Sequence, residues 1–325
     1  MVIIFSRSDD GSTGFVAEWL GAFNKEYLIL NTNDDHCKFI YADPQNKEII
    51  FQKNGKIYNL FDAESIWIRR TGLSSKSIIS FEDSDDRIFF EDTDFHKLHI
   101  KDETDQLIAY IHSTLSKNFN KVLGSYEHGN VNKMIVLEAA VNCGLMVPRS
   151  FLVTNKQQLT DLLYKEKNII TKPLGQGIYR LLEDIGYYTY VDEIDAENID
   201  RLPENFFPSS IQGKIEKQYE LRVFYCLGKF YSMAIFSQET ESTATDFRRP
   251  NFDAPNRHVP CLIPEDLELR LDALMKDLKL TTGSIDLILD KNGNYIFLEV
   301  NPVGQFSMTS YPCNYYLEKK IAEYL

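Results

Sequence analysis

Closely spaced cysteines and long apolar runs are both absent from the sequence. Its five cysteines are scattered through 325 residues without a C-x-x-C pair, so they give no zinc or disulfide signature and favour a reducing compartment. No stretch approaches about 18 uninterrupted apolar residues, the length that a membrane-spanning helix needs. The first residues, MVIIFSRSDD, lack the pattern of a signal peptide. We therefore expect a cytoplasmic protein with no membrane partner.

Positive charge is also scarce. The chain has 35 Lys and Arg against 48 Asp and Glu, a formal net charge of −13. Nucleic-acid binding needs clustered basic side chains, and no such cluster dominates, so we expect no nucleic-acid partner. A polyanionic substrate would need local cations or a metal ion to overcome this background. The hydrophobic fraction of 43% is ample for a sizeable core, and the length predicts two or three domains.

The pattern of apolar residues predicts mixed α and β structure from the start of the chain. Val2–Phe5 and Tyr27–Leu30 are predicted strands, and Ser12–Phe23 is a predicted helix with Ser12 or Thr13 as its cap. This order favours a parallel α/β arrangement. Residues 82–106 are acidic and weakly periodic, which predicts a loop or lid, followed by a helix over Glu103–Leu115. The predicted domains are an N-terminal α/β domain at 1–118, a central α+β subdomain at 119–208 and a C-terminal antiparallel-sheet subdomain at 209–325.

The most informative segment is GSIDLILDKNGNYIFLEVNPVGQ at residues 283–305. Its Asn-Gly pair at 292–293 predicts a hairpin turn between two strands. Strand alternation then places Asp286 across from Glu299, with Phe297 and Asn301 on the Glu299 face and Leu298 on the opposite face.

Two carboxylates and an amide oxygen, from Asp286, Glu299 and Asn301, converge in this hairpin. Hard oxygen ligands in this number suit Mg²⁺, and a bound cation would remove the repulsion between the two acids. The alternative is a solvated hairpin whose charges face water. That alternative explains poorly why both acids lie within otherwise apolar strands.

Several charged residues upstream of the hairpin form a candidate anion site. Lys172 ends an apolar strand before a glycine-bearing turn, and Lys133 begins a predicted helix. Glu220 and Arg222 alternate onto one face of a later strand, where the guanidinium suits bidentate contact with a phosphate or carboxylate. Arg248, in the run Asp-Phe-Arg-Arg, is a further candidate clamp. Ordinary exposed lysines, a surface ion pair and a solvated turn are the alternatives.

The arrangement D-(x₁₂)-E-V-N-P-x-G-Q, from Asp286 onward, resembles the terminal metal motif of ATP-grasp ligases. The candidate lysines, Glu220 and Arg222 fall in the order that this family uses. The resemblance implies an α/β (α+β) ATP-grasp fold, in which an N-terminal pre-ATP-grasp α/β domain precedes the two ATP-grasp subdomains. It also implies ATP and Mg²⁺, with two ions, as cofactors.

The resemblance further implies a role for each candidate residue. Lys172 would contact the α-phosphate or adenine N7, and Lys133 would contact a phosphate. Backbone groups near Gly213 and Ile215 would pair with the adenine edge. The implied nucleotide-binding residues are therefore Lys133, Lys172, Gly213, Ile215 and Glu220, the last by accepting from the ribose hydroxyls. The implied metal ligands are Asp286, Glu299 and Asn301, and the implied catalytic residues are Arg222 and Arg248.

The N-terminal run FSRSDDGST and the later IWIRR resemble one subgroup, the graspetide maturases of RiPP biosynthesis, which include the microviridin-like and grasp-with-spasm systems. That similarity implies an ADP-forming enzyme acting on a ribosomal precursor peptide with a leader. It would phosphorylate Asp or Glu side chains and join them to Ser or Thr hydroxyls as ω-esters, or to Lys amines as ω-amides. The subgroup also leads us to expect a homodimer. Gly213 departs from the acid found in ribosomal-protein-type ligases, although backbone pairing with adenine would survive.

Two rival functions stay open. The first is an ATP-grasp ligase that adds amino acids to a protein tail or joins small molecules. The second is a non-catalytic nucleotide- or peptide-binding protein of the same fold, against which the intact set of charged residues argues.

Overall fold

The computed structural model describes residues 1–32, 34, 36–74, 78, 94–175, 177, 179–182, 185–189, 191–238 and 255–325. The helices are α1 Gly11–Ala22, α2 Asp94–Asn118, α3 Lys133–Asn142, α4 Lys156–Glu166, α5 Ala196–Asp200, α6 Glu265–Asp277, α7 Ser307–Cys313 and α8 Leu317–Tyr324. The strands are β1 Val2–Ser6, β2 Tyr27–Asn31, β3 Cys37–Asp43, β4 Glu48–Lys53, β5 Lys56–Asn59, β6 Ser65–Ile68, β7 Val122–Leu123, β8 Ser150–Asn155, β9 Ile169–Thr171, β10 Tyr179–Leu182, β11 Ile185–Tyr188, β12 Asp192–Ile194, β13 Asn205–Gly213, β14 Lys217–Cys226, β15 Lys229–Phe236, β16 Arg257–Cys261, β17 Thr282–Asp290 and β18 Tyr295–Asn301.

The described chain divides into two compact units. The first comprises Met1–Asn130, Leu280–Thr282 and Pro302–Leu325, and the second comprises Val131–Lys279 and Gly283–Asn301. The division into three domains stays a prediction.

The first unit contains a parallel sheet in the order β2-β1-β6-β7 and an antiparallel sheet β3-β4-β5. β1 and β2, which precede and follow α1 in the sequence, pair in parallel, as the sequence predicts. The predicted capping of α1 by Ser12 or Thr13 is wrong, because α1 begins at Gly11 and Asp10 takes the capping position. The Asp10 carboxylate makes no cap bond; it pairs instead with Arg69 and Arg70.

Helix α2 corrects the predicted loop at 82–106. The helix begins at Asp94, so residues 94–106 are helical, while residues 79–93 lie outside the described part of the chain. The second half of α2 carries the buried apolar residues Ile108, Ile111 and Leu115. The first half is mostly exposed where its side chains are described, which explains why its apolar periodicity is weak. The helix predicted at Glu103–Leu115 is confirmed and extends beyond both ends of that range.

The second unit contains two antiparallel sheets that position the candidate site. One has the order β12-β9-β13-β8, and the other has the order β16-β15-β14-β17-β18. Helix α6 turns Leu267, Leu271, Leu274 and Met275 inward, and all four are buried. Their spacing is that of a single apolar helix face.

Helix α3 has a side-chain cap that fixes its first residue, Lys133. The Asn132 side chain accepts hydrogen bonds from the backbone N–H groups of Met134 and Ile135, at 2.9 and 3.3 Å. We expect Asn132→Ala to lower the free energy of unfolding by about 1 kcal/mol. Urea denaturation would measure this, with Asn142→Ala at the exposed end of the same helix as the control. Equal stability of the two variants would contradict the capping role.

Candidate active site

A cleft in the second unit collects most of the predicted site residues. The space between its atoms, counted into the open mouth, is about 1010 Å³. The predicted residues that line it are Lys133, Lys172, Ile215, Glu220, Asp286 and Glu299.

The β17–β18 hairpin brings the two acids into register. Asp286 lies directly opposite Glu299, which confirms the predicted pairing. The register shifts immediately afterwards, because Leu287 pairs with Phe297 and leaves Leu298 as an extra residue. Strict alternation was therefore a wrong prediction here. The bulge lets Leu298 and Glu299 both line the cleft, while Phe297 is fully buried.

Each acid of the hairpin faces a basic side chain. Arg222 Nη1 donates to both carboxylate oxygens of Asp286, at 2.8 and 2.9 Å. Lys133 Nζ lies 3.2 Å from Glu299 Oε2. Unpaired charges in a largely buried strand pair would be costly, and these four charges sum to zero. The structure thus pairs each of the two predicted carboxylate ligands with a basic residue predicted to contact phosphate.

The donor set of this face fits a divalent cation. Ser284 lies opposite Asn301, next to the Asp286–Glu299 pair. Ser284 is fully buried, and its Oγ has no hydrogen-bond partner among the described residues. Carboxylate, amide and hydroxyl oxygens are the hard ligands that Mg²⁺ prefers. The described residues contain no cluster of three His, Cys, Asp or Glu side chains. A bound Mg²⁺ would therefore draw further ligands from water or phosphate oxygens.

Glu220 lies beneath the same cleft in a buried ion pair that the sequence did not indicate. Its carboxylate pairs with Lys217, and Ser237 Oγ donates to Glu220 Oε1 at 3.0 Å. Burial raises the pKa of the Glu220 carboxyl, and the nearby charge of Asp286 adds to the rise. Lys217 and Ser237 act in the opposite direction by favouring the ionised form. Lys217 lines the cleft, is 8% exposed and belongs to the candidate site.

The hinge between β13 and β14 has part of its backbone already engaged. The Gly213 N–H donates to the Arg149 carbonyl at 2.9 Å, and the Lys214 N–H donates to the Asn168 carbonyl at 3.0 Å. Gly213 is not among the described residues that line the cleft, whereas Ile215 is. Any adenine contact from Gly213 would therefore use its carbonyl oxygen.

Lys172 and Lys133 reach the cleft from two different secondary-structure elements, a strand and a helix. Lys172 follows β9 directly, and Lys133 is the first residue of α3. Both lysines line the cleft, as Asp286 and Glu299 do. Lysines held at strand and helix ends are suited to meet a polyanion.

Arg222 and Asn301, like Gly213, are not among the described residues that line the cleft. Arg222 is buried and reaches the site through Asp286, whereas Asn301 is exposed at the end of β18. Arg248 lies outside the described residues, as does the whole Asp246–Arg249 run. The roles assigned to all ten candidate residues stay predictions.

No described helix has both the length and the apolar character needed to cross a membrane. No protein-family model matches the chain, and neither does any curated protein.

Solved structures match over almost the whole chain. A RiPP-associated ATP-grasp ligase from Chryseobacterium gregarium, in complex with ADP and a leader and core peptide, is 20% identical; the match covers 99% of this chain and 94% of that one, with a TM-score of 0.79. The macrocyclase MdnC from Microcystis aeruginosa, bound with precursor peptide MdnA, is 23% identical, with 99% and 98% covered and a TM-score of 0.76. The chain has the ATP-grasp fold. A third match, the ATP-grasp ligase PsnB with a phosphomimetic precursor variant, Mg and ADP, is 17% identical, with 99% and 96% covered and a TM-score of 0.73.

The predicted α/β ATP-grasp fold class is therefore confirmed. In this ATP-grasp chain, the cleft lies among β9, β13, β14 and the β17–β18 hairpin. That is where the sequence motif predicts nucleotide and metal.

Proposed function

We propose that this chain is an ATP-dependent, ADP-forming peptide macrocyclase of the graspetide type. It phosphorylates Asp or Glu side chains of a ribosomally made precursor peptide that carries a leader. It then joins each activated carboxyl to a Ser or Thr hydroxyl, or to a Lys amine, of the same peptide. A homodimer, a cytoplasmic location and the lack of a nucleic-acid partner remain predictions.

One observation carries this proposal. The cleft sets Asp286 and Glu299, each held by a basic side chain, on a wall shared with Lys172 and the Lys217–Glu220 pair. This arrangement combines cations for phosphates with oxygens for a divalent ion. Similarity over 99% of the chain to ligases solved with ADP and precursor peptides supports the choice of substrate.

The nucleotide half of the mechanism rests on charge and hydrogen bonding. Lys133 and Lys172 would hold the phosphates, and ionised Glu220 would accept from the ribose hydroxyls. Apolar side chains of Ile215 and Leu298 line the same cleft and would cover the base. Mg²⁺ held by Asp286, Glu299 and Asn301 would supply charge neutralisation and orientation for the phosphates.

Two transfers then complete the reaction. A carboxylate oxygen of the peptide attacks the γ-phosphorus, the bond to the β-phosphate oxygen breaks, and ADP leaves with that electron pair. The peptide hydroxyl or amine next attacks the acyl-phosphate carbonyl carbon, and phosphate leaves as the nucleophile loses its proton. Arg222, which reaches the site through Asp286, would stabilise the charge on the transferring group at a distance and not by direct contact. The net change is the loss of one water from the peptide per ring, with ATP converted to ADP and phosphate.

The test is to search beside the gene for a short reading frame rich in Thr and Glu or Asp, and to incubate that peptide with the protein, ATP and Mg²⁺. We expect ADP release that depends on the peptide, and one water lost from the peptide per ring by mass spectrometry. Mild base should reverse the loss for esters and leave amides intact. Transfer of a free amino acid to the peptide would favour the tail-adding alternative. Nucleotide binding with neither ADP nor dehydration would favour a non-catalytic protein.

We expect Lys217→Met to weaken nucleotide binding in a pH-dependent way. Without Lys217, the raised pKa of the Glu220 carboxyl rises further, so more of it is protonated at neutral pH and accepts hydrogen bonds less well. The Michaelis constant for ATP should increase about tenfold near neutrality, the effect of losing roughly one charged hydrogen bond. It should recover as the pH rises, because Glu220 ionises again.

ATP titrations between acidic and alkaline pH would measure this shift. Lys291→Met is the matched control, since Lys291 is exposed and pairs with Glu216 at the hairpin tip. A pH-independent change in the Lys217 variant would rule out the effect through Glu220.

A further inference from the structure

A second cavity lies in the first unit, where α1 faces α7 and α8. Four aromatic side chains line it, from Phe15, Trp19, Tyr311 and Tyr316. The Phe15 and Tyr311 rings meet edge to face, with their centroids 5.7 Å apart. Tyr311 and Tyr316 are 55% and 60% exposed. The cavity is therefore an open aromatic recess, and none of its lining residues also lines the candidate active-site cleft.

A buried carboxylate in this recess has an unused acceptor. Glu318 lines the cavity and is only 5% exposed. Its Oε2 accepts from Ser310 Oγ at 2.7 Å, and that same Oγ accepts from the Leu317 N–H at 2.9 Å. Ser310 therefore has no second proton to give. Glu318 Oε1 is buried with no hydrogen-bond partner among the described residues, which is a costly state for a carboxylate oxygen.

The charge of the recess is negative. Glu18 adds a second, exposed carboxylate to the lining. Burial raises the pKa of the Tyr311 phenol, and the charges of Glu318 and Glu18 both add to that rise. One basic side chain, Lys319, already lies over the Trp19 ring, with Nζ 5.4 Å from the ring centroid. That contact indicates that the ring is placed to face a cation.

We propose that this recess binds a primary alkylammonium group, as carried by a lysine side chain or a small amine. An ammonium offers three N–H donors, one of which would satisfy Glu318 Oε1. Glu18 would add charge attraction, and the aromatic walls would cover the methylenes and face the cation. A divalent metal ion fits less well, because the aromatic walls supply few oxygen ligands. The proposal does not depend on the proposed ligase activity.

The test uses the full chain without ATP. The sequence has two tryptophans, and Trp67 is 2% exposed, so a ligand in the recess should change the fluorescence of Trp19. The probe is N-acetyl-lysine methylamide at constant ionic strength, with N-acetyl-norleucine methylamide as its uncharged match. 1-Aminobutane is a second probe, which represents a free small amine. Binding of the lysine diamide indicates a peptide lysine as the source, and binding of 1-aminobutane alone indicates a free amine.

The variants separate the site from general charge effects. Glu318→Gln should weaken binding at least about tenfold, since Oε1 would be replaced by a donor or lose its charge. Glu18→Gln should weaken it about threefold. Glu26→Gln, in the same unit but in a surface ion pair outside the cavity lining, should bind as the wild type does. If Glu318→Gln fails to fold by circular dichroism, Tyr316→Ala takes its place and should bind several-fold more weakly.

Three results would overturn the proposal. These are a norleucine diamide that binds as well as the lysine diamide, no saturable change in the wild type, and wild-type affinity in the folded Glu318 or Tyr316 variant.

Discussion

ADP release by the Glu299→Gln variant, with peptide and Mg²⁺ present, is expected to fall at least about 100-fold below that of the wild type. The substitution keeps the size of the side chain and one oxygen, but it removes the charge that would hold a divalent ion. It also removes the charged partner of Lys133, whose Nζ lies 3.2 Å from Glu299 Oε2. Lys133 would then be less well fixed for a phosphate. A coupled assay for ADP measures the change.

The control for this prediction is Glu216→Gln. Glu216 lies in the same unit, is 67% exposed and pairs only at the surface with Lys291, so its loss should leave the rate unchanged. Circular dichroism should show both variants folded with similar midpoints. Normal turnover by a folded Glu299 variant would refute the assignment of Glu299 as a metal ligand.

The hairpin was predictable because its signals are local. The Asn-Gly pair predicts a turn, and counting from it places Asp286 opposite Glu299, as observed. Next to the turn the count is off by one residue, because Leu289 pairs with Tyr295, and the bulge at Leu298 restores the predicted pairing. The parallel pairing of β1 and β2 was predictable for the same reason, because the apolar spacing within each segment indicates whether it is a strand or a helix.

The features that sequence reasoning missed depend on tertiary surroundings. Alternation places residues three apart on opposite faces of a strand, so nothing in the sequence indicates that Lys217 pairs with Glu220. The bulge at Leu298 likewise has no sequence signal, because leucine fits either face. Asp10 makes no cap because Arg69 and Arg70, about sixty residues away, engage its carboxylate. Helix α8 has a strong apolar face, but it is only eight residues long, and so short an apolar pattern does not distinguish a helix from other structures.

Arg222→Met is expected to destabilise the protein by about 3 kcal/mol, at the lower end of the range for breaking a buried ion pair. The Arg222 and Asp286 side chains are 7% and 16% exposed, so Asp286 would be left with little water and without the guanidinium Nη1 that donates to both of its oxygens. Urea denaturation measures the loss. Arg201→Met, which breaks an ion pair that is 73% exposed on both sides, should change stability by less than about 1 kcal/mol.

The effect of Mg²⁺ on the melting midpoint distinguishes two roles for Asp286, that of a structural ion-pair partner and that of a metal ligand. If Asp286 binds the ion, Mg²⁺ should raise the melting midpoint of Arg222→Met more than that of the wild type, because the ion replaces the missing cation. The double variant with Asp286→Asn should regain stability without Mg²⁺ and should lose the extra response to it, since no unpaired charge remains at position 286. An Arg222 variant with no extra response to Mg²⁺ would make Asp286 a purely structural partner of the guanidinium. Glu299 and Asn301 would then be the only protein ligands of the predicted metal ion, and two ligands are too few to hold it without phosphate oxygens.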